Sequence, residues 1–192
     1  MKFSKGAGLS VFVVLLLALD QISKILVKTS MHIGQSIHVF GDWFQILFIE
    51  NNGMAFGMQF GGAAGKLILS ICRVVLVVFI FIYIRKLLRR SDTPTGVLFG
   101  LAAIMCGALG NIVDCLFYGV IFDYAPLFYG RVVDMLYFPL IDTDLPSWLP
   151  FWGGEHLIFF RPIFNIADSC ITCGAIYLVL FQWRFFSKPK TT

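Results

Sequence analysis

The sequence predicts an α-helical polytopic membrane protein: four transmembrane helices, a small extracytoplasmic platform of β-strands and an amphipathic outer loop. Three observations carry that prediction. First, 58% of the 192 residues are hydrophobic and 14% are charged, whereas a soluble domain has about 45–50% apolar and about a quarter charged residues. Second, the apolar residues gather in runs of about 20, the length that crosses a bilayer. Third, the basic residues are distributed unevenly between the segments that join those runs. The net charge of +4 is too small and too scattered to suit a nucleic-acid partner.

The spans are expected at about 8–27, 67–88, 96–117 and 163–183, all within one membrane domain covering 1–192. Each is read as a helix, because lipid offers no partner to a backbone N–H or C=O. The first could be taken for a cleavable leader, but no small-x-small site closes its apolar run. Asp20-Gln-Ile-Ser-Lys24 follows instead, and then more apolar residues, so it is read as an uncleaved span. Lys2, Lys5, Arg85, Lys86, Arg89, Arg90, Arg184, Lys188 and Lys190 fall on one side if both termini are cytoplasmic. That is nine of the fifteen basic residues, and the positive-inside rule is satisfied.

Segments 28–66 and 118–161 then lie outside. In the first, Ile37-His-Val-Phe40 and Trp43-Phe-Gln-Ile-Leu-Phe-Ile49 read as strands. The second is rich in Trp, Tyr, Phe and Pro, residues that favour the headgroup zone, and is expected to lie along the outer membrane surface.

Three spans carry a carboxylate: Asp20, Asp114 and Asp168. Each costs at least about 2.5 to 3.5 kcal/mol near the bilayer centre, so each needs a reason. All three fall in the outer half, with Asp168 six residues into a helix counted from Pro162. Asn111-x-x-Asp114 and Asn165-x-x-Asp168 each put an amide and a carboxyl on one helical face. Asp20 and Lys24 are spaced to pair at i,i+4. Polar residues can also act as interhelical glue, worth about 0.6 kcal/mol each on average. Asp134, in Gly130-Arg-Val-Val-Asp134, adds a carboxyl from the second outer segment.

The sequence has no GxSxG, no HExxH and no plausible Ser–His pair. No metal and no organic cofactor is expected, since His32, His38 and His156 lie far from the five cysteines. Cys170-x-x-Cys173 is read as packing inside an apolar helix, where burial makes a thiol inert. Two close carboxyls can share one proton and activate water, as in an aspartic protease. They can also relay protons in a transporter. Composition and topology leave both open, together with a non-catalytic scaffold.

Asp20-Gln-Ile-Ser-Lys24, Glu50-Asn-Asn-Gly-Met-Ala-Phe-Gly57, Gly110-Asn-Ile-Val-Asp114, Gly130-Arg-Val-Val-Asp134 and Phe164-Asn-Ile-Ala-Asp168 together resemble the ordered motif set of the lipoprotein signal peptidase (signal peptidase II) family. The resemblance implies an intramembrane aspartic protease of the bacterial inner membrane, with its active site near the periplasmic side. Such a protein removes signal peptides from prolipoproteins, cutting before the diacylglyceryl-modified cysteine, and is inhibited by globomycin. The resemblance makes Asp134 and Asp168 the catalytic pair, although the paired Asn-x-x-Asp motifs alone point to Asp114 and Asp168. It implies that Asn51, Gly53, Asn111, Asp114 and Asn165 shape the pocket or orient the pair, with Asp20 and Lys24 in support. Lipid-modified prolipoproteins and membrane lipid are the expected partners, and a monomer the expected state.

Two departures stand out. The family pattern has Arg where this chain has Cys115, and Arg131 is the candidate to replace that guanidinium at the substrate site. The stretch 135–161 is also longer than the pattern, with acidic Asp142, Asp144 and Glu155. A larger lid, a partner surface or a plain loop would each fit it.

Overall fold

The computed structural model describes residues 5–52 and 62–187. Gly53 and Gly57 of the second motif lie outside them. In chain order the elements are α1 (Lys5–Ser30), β1 (Ser36–Phe40), β2 (Phe44–Asn51), α2 (Gly62–Leu88), α3 (Thr95–Val113), a π turn (Asp114–Tyr118), α4 (Gly119–Ile121), β3 (Val132–Tyr137), β4 (Ile141–Asp144), β5 (His156–Phe159), β6 (Ile163–Phe164), α5 (Ile166–Phe181) and α6 (Trp183–Ser187).

Among the described residues, three helices are long and apolar enough to cross a membrane: Lys5–Ser30, Ala64–Leu88 and Thr95–Ile121. All three outrun the predicted spans. The third does so because the helix does not stop after Val113 but continues through the π turn into α4. The fourth apolar helix is shorter than the predicted 163–183 and begins later. Ile163 pairs with Tyr137 and Phe164 with Leu136, so both belong to a strand. Asn165 then caps the helix, its side chain accepting from the Asp168 N–H while the Asp168 carboxylate accepts from the Asn165 N–H. Such a reciprocal box fixes a helix start by satisfying donors that have no intrahelical partner. Asp168 is therefore in the first turn, not six residues along.

Helix α3 is the central one, with 67% of its apolar window buried against 11% for α1. Small residues let its neighbours approach. A Cβ added at Gly110 would lie 2.5 Å from Asp20 Oδ2 and 3.1 Å from the Ala167 Cβ. Only a glycine there allows α1, α3 and α5 to meet at this level. An apolar cluster built on Leu9, Ile84, Leu87, Val97, Leu98 and Ala102 closes the opposite end of the bundle. Many other large apolar side chains of α1 and α2, Val14, Leu15, Val75 and Phe79 among them, face outward, as lipid-facing surfaces do.

The platform is a four-stranded antiparallel sheet ordered β1-β2-β3-β6. Both strands expected in 28–66 are present. Phe48, Val133 and Met135 bury beneath the sheet against Val27 and Tyr118, which fastens it to α1 and the π turn. The stretch 135–161, expected as a larger lid, a partner surface or a plain loop, contains a separate two-stranded hairpin, β4–β5.

Candidate active site

The site is assembled where three helices and two strands bring polar side chains to one level. Helix α1 contributes Asp20, Gln21 and Lys24. Asn111 and Asp114 come from the end of α3 and the start of the π turn, and Asn165 and Asp168 from the head of α5. Strand β3 carries Asp134, and β2 ends in Asn51. Among the described residues, every buried side-chain nitrogen and oxygen has a hydrogen-bond partner.

The inner half of this group is an ion cluster. Lys24 is fully buried, and its three N–H bonds meet three acceptors: Asp20 Oδ2 at 2.9 Å, Asp114 Oδ2 at 2.8 Å and Asn111 Oδ1 at 2.9 Å. The expected i,i+4 pair is thus present, and Asp114 joins it from α3. Asp114 Oδ1 accepts from Gln21 Nε2 at 3.0 Å, and Oδ2 also accepts from the Val133 N–H at 3.3 Å. Asp20 Oδ1 accepts from the Ala167 N–H at 2.9 Å. These bonds turn Asp114 toward Lys24 and the sheet, while Asp168 is bonded by Asn111 and by the Asn165 backbone N–H. The π turn beginning at Asp114 widens the helix there; single π turns often mark functional sites.

The outer half is held by amides. Asn165 Nδ2 donates to Asp134 Oδ1 at 2.7 Å, with longer contacts to Asn111 Oδ1 at 3.2 Å and the Val133 carbonyl at 3.3 Å. Its own Oδ1 accepts from the Asp168 N–H at 2.9 Å. Asn111 Nδ2 donates to Asp168 Oδ1 at 2.8 Å, and Asn51 Nδ2 donates to Asp134 Oδ2 at 3.1 Å. Neither Asp134 nor Asp168 is in an ion pair with a cation among the described residues. Asp134 is buried and Asp168 is half-buried. Burial, and then the neighbouring charge of Asp168, push the Asp134 carboxyl up to about 7, against the opposing bonds from Asn51 and Asn165. A carboxyl tuned this way holds a proton near neutral pH.

Arg131, the sequence candidate for the guanidinium absent at Cys115, goes elsewhere. Its Nη1 pairs with Glu50 Oε2 at 3.1 Å. Lys28 takes the other Glu50 oxygen, and the Lys28 ammonium lies 4.7 Å from the ring centroids of both Phe122 and Tyr124. The group that reaches Cys115 Sγ is Arg73 Nη1, at 3.5 Å, from α2. Sequence distance hid this, since α2 contributes no recognisable motif. Lys66, also on α2, donates to Asn52 Oδ1 at 3.2 Å and to the Tyr129 carbonyl at 2.9 Å.

Sequence reasoning also missed Gln21 and Tyr118. Gln21 bonds Asp20, Asp114 and the Gly110 carbonyl, and accepts from the Tyr118 hydroxyl at 3.2 Å. The signal was available: Gln21 precedes Lys24 by three residues, on the same face of α1. Among the described residues, no group of three or more His, Cys, Asp or Glu is arranged to hold a metal ion.

The arrangement offers a buried, proton-holding carboxyl beside a second, more accessible one, both oriented by amides. That is the minimum for acid–base activation of water at a carbonyl. Known proteins resemble the chain over most of its length. The family model described as signal peptidase (SPase) II matches residues 12–184. A lipoprotein signal peptidase of Porphyromonas gingivalis is 47% identical over 201 residues, covering 97% of this chain and 87% of its own. One from Amoebophilus asiaticus is 37% identical over 183 residues, covering 91% and 77%. A bacterial membrane enzyme solved by the in meso method at 2.3 Å resolution superposes with a TM-score of 0.63 at 25% identity, covering 96% of this chain and 93% of its own. The chain is therefore a membrane protein that belongs to the signal peptidase II family.

Proposed function

We propose that this chain is an aspartic endopeptidase that removes signal peptides from diacylglyceryl-modified prolipoproteins, cutting before the lipidated cysteine. The observation that carries the proposal is Asn165. Its amide donates to the Asp134 carboxylate and its carbonyl oxygen accepts from the backbone of Asp168, so one side chain ties the Asp134 carboxyl to the helix turn that carries Asp168. Asp134 holds the proton and Asp168 takes one from the attacking water. As the water adds, Asp134 donates to the scissile carbonyl oxygen; the proton taken up by Asp168 then passes to the departing amine nitrogen as the C–N bond breaks, and Asp134 recovers a proton from the gem-diol, which restores the pair.

The remaining residues orient this pair. Asn111 and Asn51 each donate to one carboxyl, and the cluster of Lys24, Asp20 and Asp114 fixes the helices that carry them. Under this proposal Asn51, Asn111, Asn165 and Arg131 border the space a substrate would use. In this reading the whole chain works as one membrane domain and as a monomer in the bacterial inner membrane. Both termini are cytoplasmic, and the Asp134–Asp168 level lies toward the periplasm. Helix α5 is the fourth span: its 16 residues make about 24 Å at 1.5 Å per residue, and α6 adds length at the cytoplasmic end. The sheet stands over the outer leaflet, and the signal helix enters sideways between the spans.

The test is cleavage of a purified diacylglyceryl-modified precursor by the purified chain, with and without globomycin. Globomycin-sensitive cleavage before the lipidated cysteine is the expected result. Proton flux without cleavage would instead mark a carboxylate-coupled transporter.

A further inference from the structure

The two proposed catalytic carboxyls are joined by a segment with a shape of its own. Residues 138–162 leave β3 four residues after Asp134 and return through β6 to Asn165. Between them stands the β4–β5 hairpin, which among the described residues pairs with no other strand. A lone two-stranded hairpin is at best marginally stable in water and needs a surface to lie against.

Its register makes it two-faced. Ile141 pairs with Phe159 and Thr143 with Leu157, so these four share one face; Asp142 opposite Ile158 and Asp144 opposite His156 share the other. On the polar face, His156 Nε2 contacts Asp142 and Nδ1 contacts Asp144, each at 2.9 Å. On the other face Ile141, Leu157 and Phe159 are 50%, 37% and 55% exposed.

The tip continues the apolar face. From Leu145 to Gly154 the chain has no charged residue. Trp148, Phe151 and Trp152 are 77%, 93% and 58% exposed. The loop is not slack: Leu145 N–H donates to the Glu155 carbonyl at 2.9 Å and Gly154 N–H to the Leu145 carbonyl at 3.0 Å. It is a closed frame that turns three aromatic rings outward.

We propose that this hairpin docks on the bilayer. Ile141, Leu157, Phe159 and the three tip rings sit at the boundary of headgroups and acyl chains, and the Asp142–His156–Asp144 face points to water. The occupant follows from chemistry: Trp concentrates at that boundary, and an amphipathic element with one charged face lies in its plane. The chain is already embedded in the same leaflet, so the lipid surface is always within reach. A protein partner matched to this tip would meet no charged residue and no side-chain donor except the two indole N–H groups and the Ser147 hydroxyl. Because the hairpin is tethered to β3 and β6, docking fixes the height of the Asp134–Asp168 level above the acyl chains. That last consequence rests on the peptidase reading; the docking itself does not.

The experiment uses full-length Trp43→Phe/Trp183→Phe protein in phosphatidylcholine–phosphatidylglycerol vesicles, leaving only Trp148 and Trp152 to report. The replaced tryptophans are both exposed. The expected result is blue-shifted emission, quenched at least about two-fold by lipids brominated near the headgroup end of the acyl chain and less by lipids brominated near its terminus. Water-like emission without bromolipid quenching would overturn the proposal. Blue-shifted emission that bromolipids do not quench would also overturn it, by showing the rings covered by protein, whether its own or a second copy's. Adding Asp134→Asn makes turnover irrelevant, so docking and peptidase activity succeed or fail separately. In the otherwise native chain, Trp148→Ser/Phe151→Ser/Trp152→Ser should raise KM for a vesicle-borne lipidated precursor about five-fold or more with kcat within two-fold. An unchanged KM would refute the link to substrate height.

Discussion

The site holds two kinds of carboxylate only a few bonds apart, and their contrast explains how the molecule divides its labour. Asp20 and Asp114 share the ammonium of Lys24. Among the described residues, Asp134 and Asp168 are bound within hydrogen-bond range by amides and backbone N–H groups. A cation beside a buried carboxylate compensates its charge and serves packing. Amides orient a carboxylate without cancelling its charge, so two such groups must compete for a proton. Charge compensation distinguishes the two kinds better than burial does, since Asp20, Asp114 and Asp134 are all buried, and the proposed mechanism gives the chemistry to the uncompensated pair.

The comparison can be broken most severely at the acids themselves. Asp134→Asn and Asp168→Asn should each lower cleavage of a lipidated precursor by about 10³-fold or more, since each removes a proton-transfer group. Thermal stability in detergent should change little, because Asn keeps the shape. Lys24→Met should do the reverse. It leaves Asp20 and Asp114 buried without their cation, at a cost of about 3–5 kcal/mol, seen as a large fall in Tm and in the amount of protein recovered from membranes. Asp114→Asn belongs with Lys24: its Tm should drop more, relative to its activity at low temperature, than that of either dyad variant.

Asn165→Ala should fall between these cases. Losing the Asp134 donor should cost about 10²-fold in turnover, the scale of one preorganised donor. Losing the helix cap should cost about 1 kcal/mol of stability. Both quantities come from one variant, by kinetics and by melting.

The finest effect is on pH dependence. A buried carboxyl raised to about 7 keeps its proton below that pH and loses it above. With both acids ionised the donor is gone, so cleavage should decline as pH rises through about 7. Asn51 donates to Asp134 and so favours the ionised form. Asn51→Ala should move this decline to higher pH, while lowering the rate. A profile that does not move in Asn51→Ala would detach Asp134 from the alkaline limb.

Much of the frame could be read from the sequence for a physical reason. Long apolar runs have few alternatives in lipid, and the alternating stretches that became β1 and β2 are local patterns. The start of α5 was harder, because Ile163 and Phe164 are as apolar as the helix that follows. Only their pairing with β3 and the Asn165 cap distinguish them. The site was legible as residue types but not as partnerships. Helix phase put Asn111 beside Asp114 and Asn165 beside Asp168. It could not show that Lys24 would capture Asp114, nor that Asn165 would reach across to β3. Arg73 was invisible for the same reason, since its contact with Cys115 spans 42 positions.

In the proposed mechanism the Asp134 carboxyl carries the transferable proton and loses it as pH rises through about 7. Infrared titration of the purified protein tests this most directly, by following the carbonyl stretch of protonated carboxyls from pH 5 to 9. The expected result is a band that disappears around pH 7 in the native chain and is missing at every pH in Asp134→Asn. A titrating band that survives in Asp134→Asn, or none in the native protein, would contradict the account.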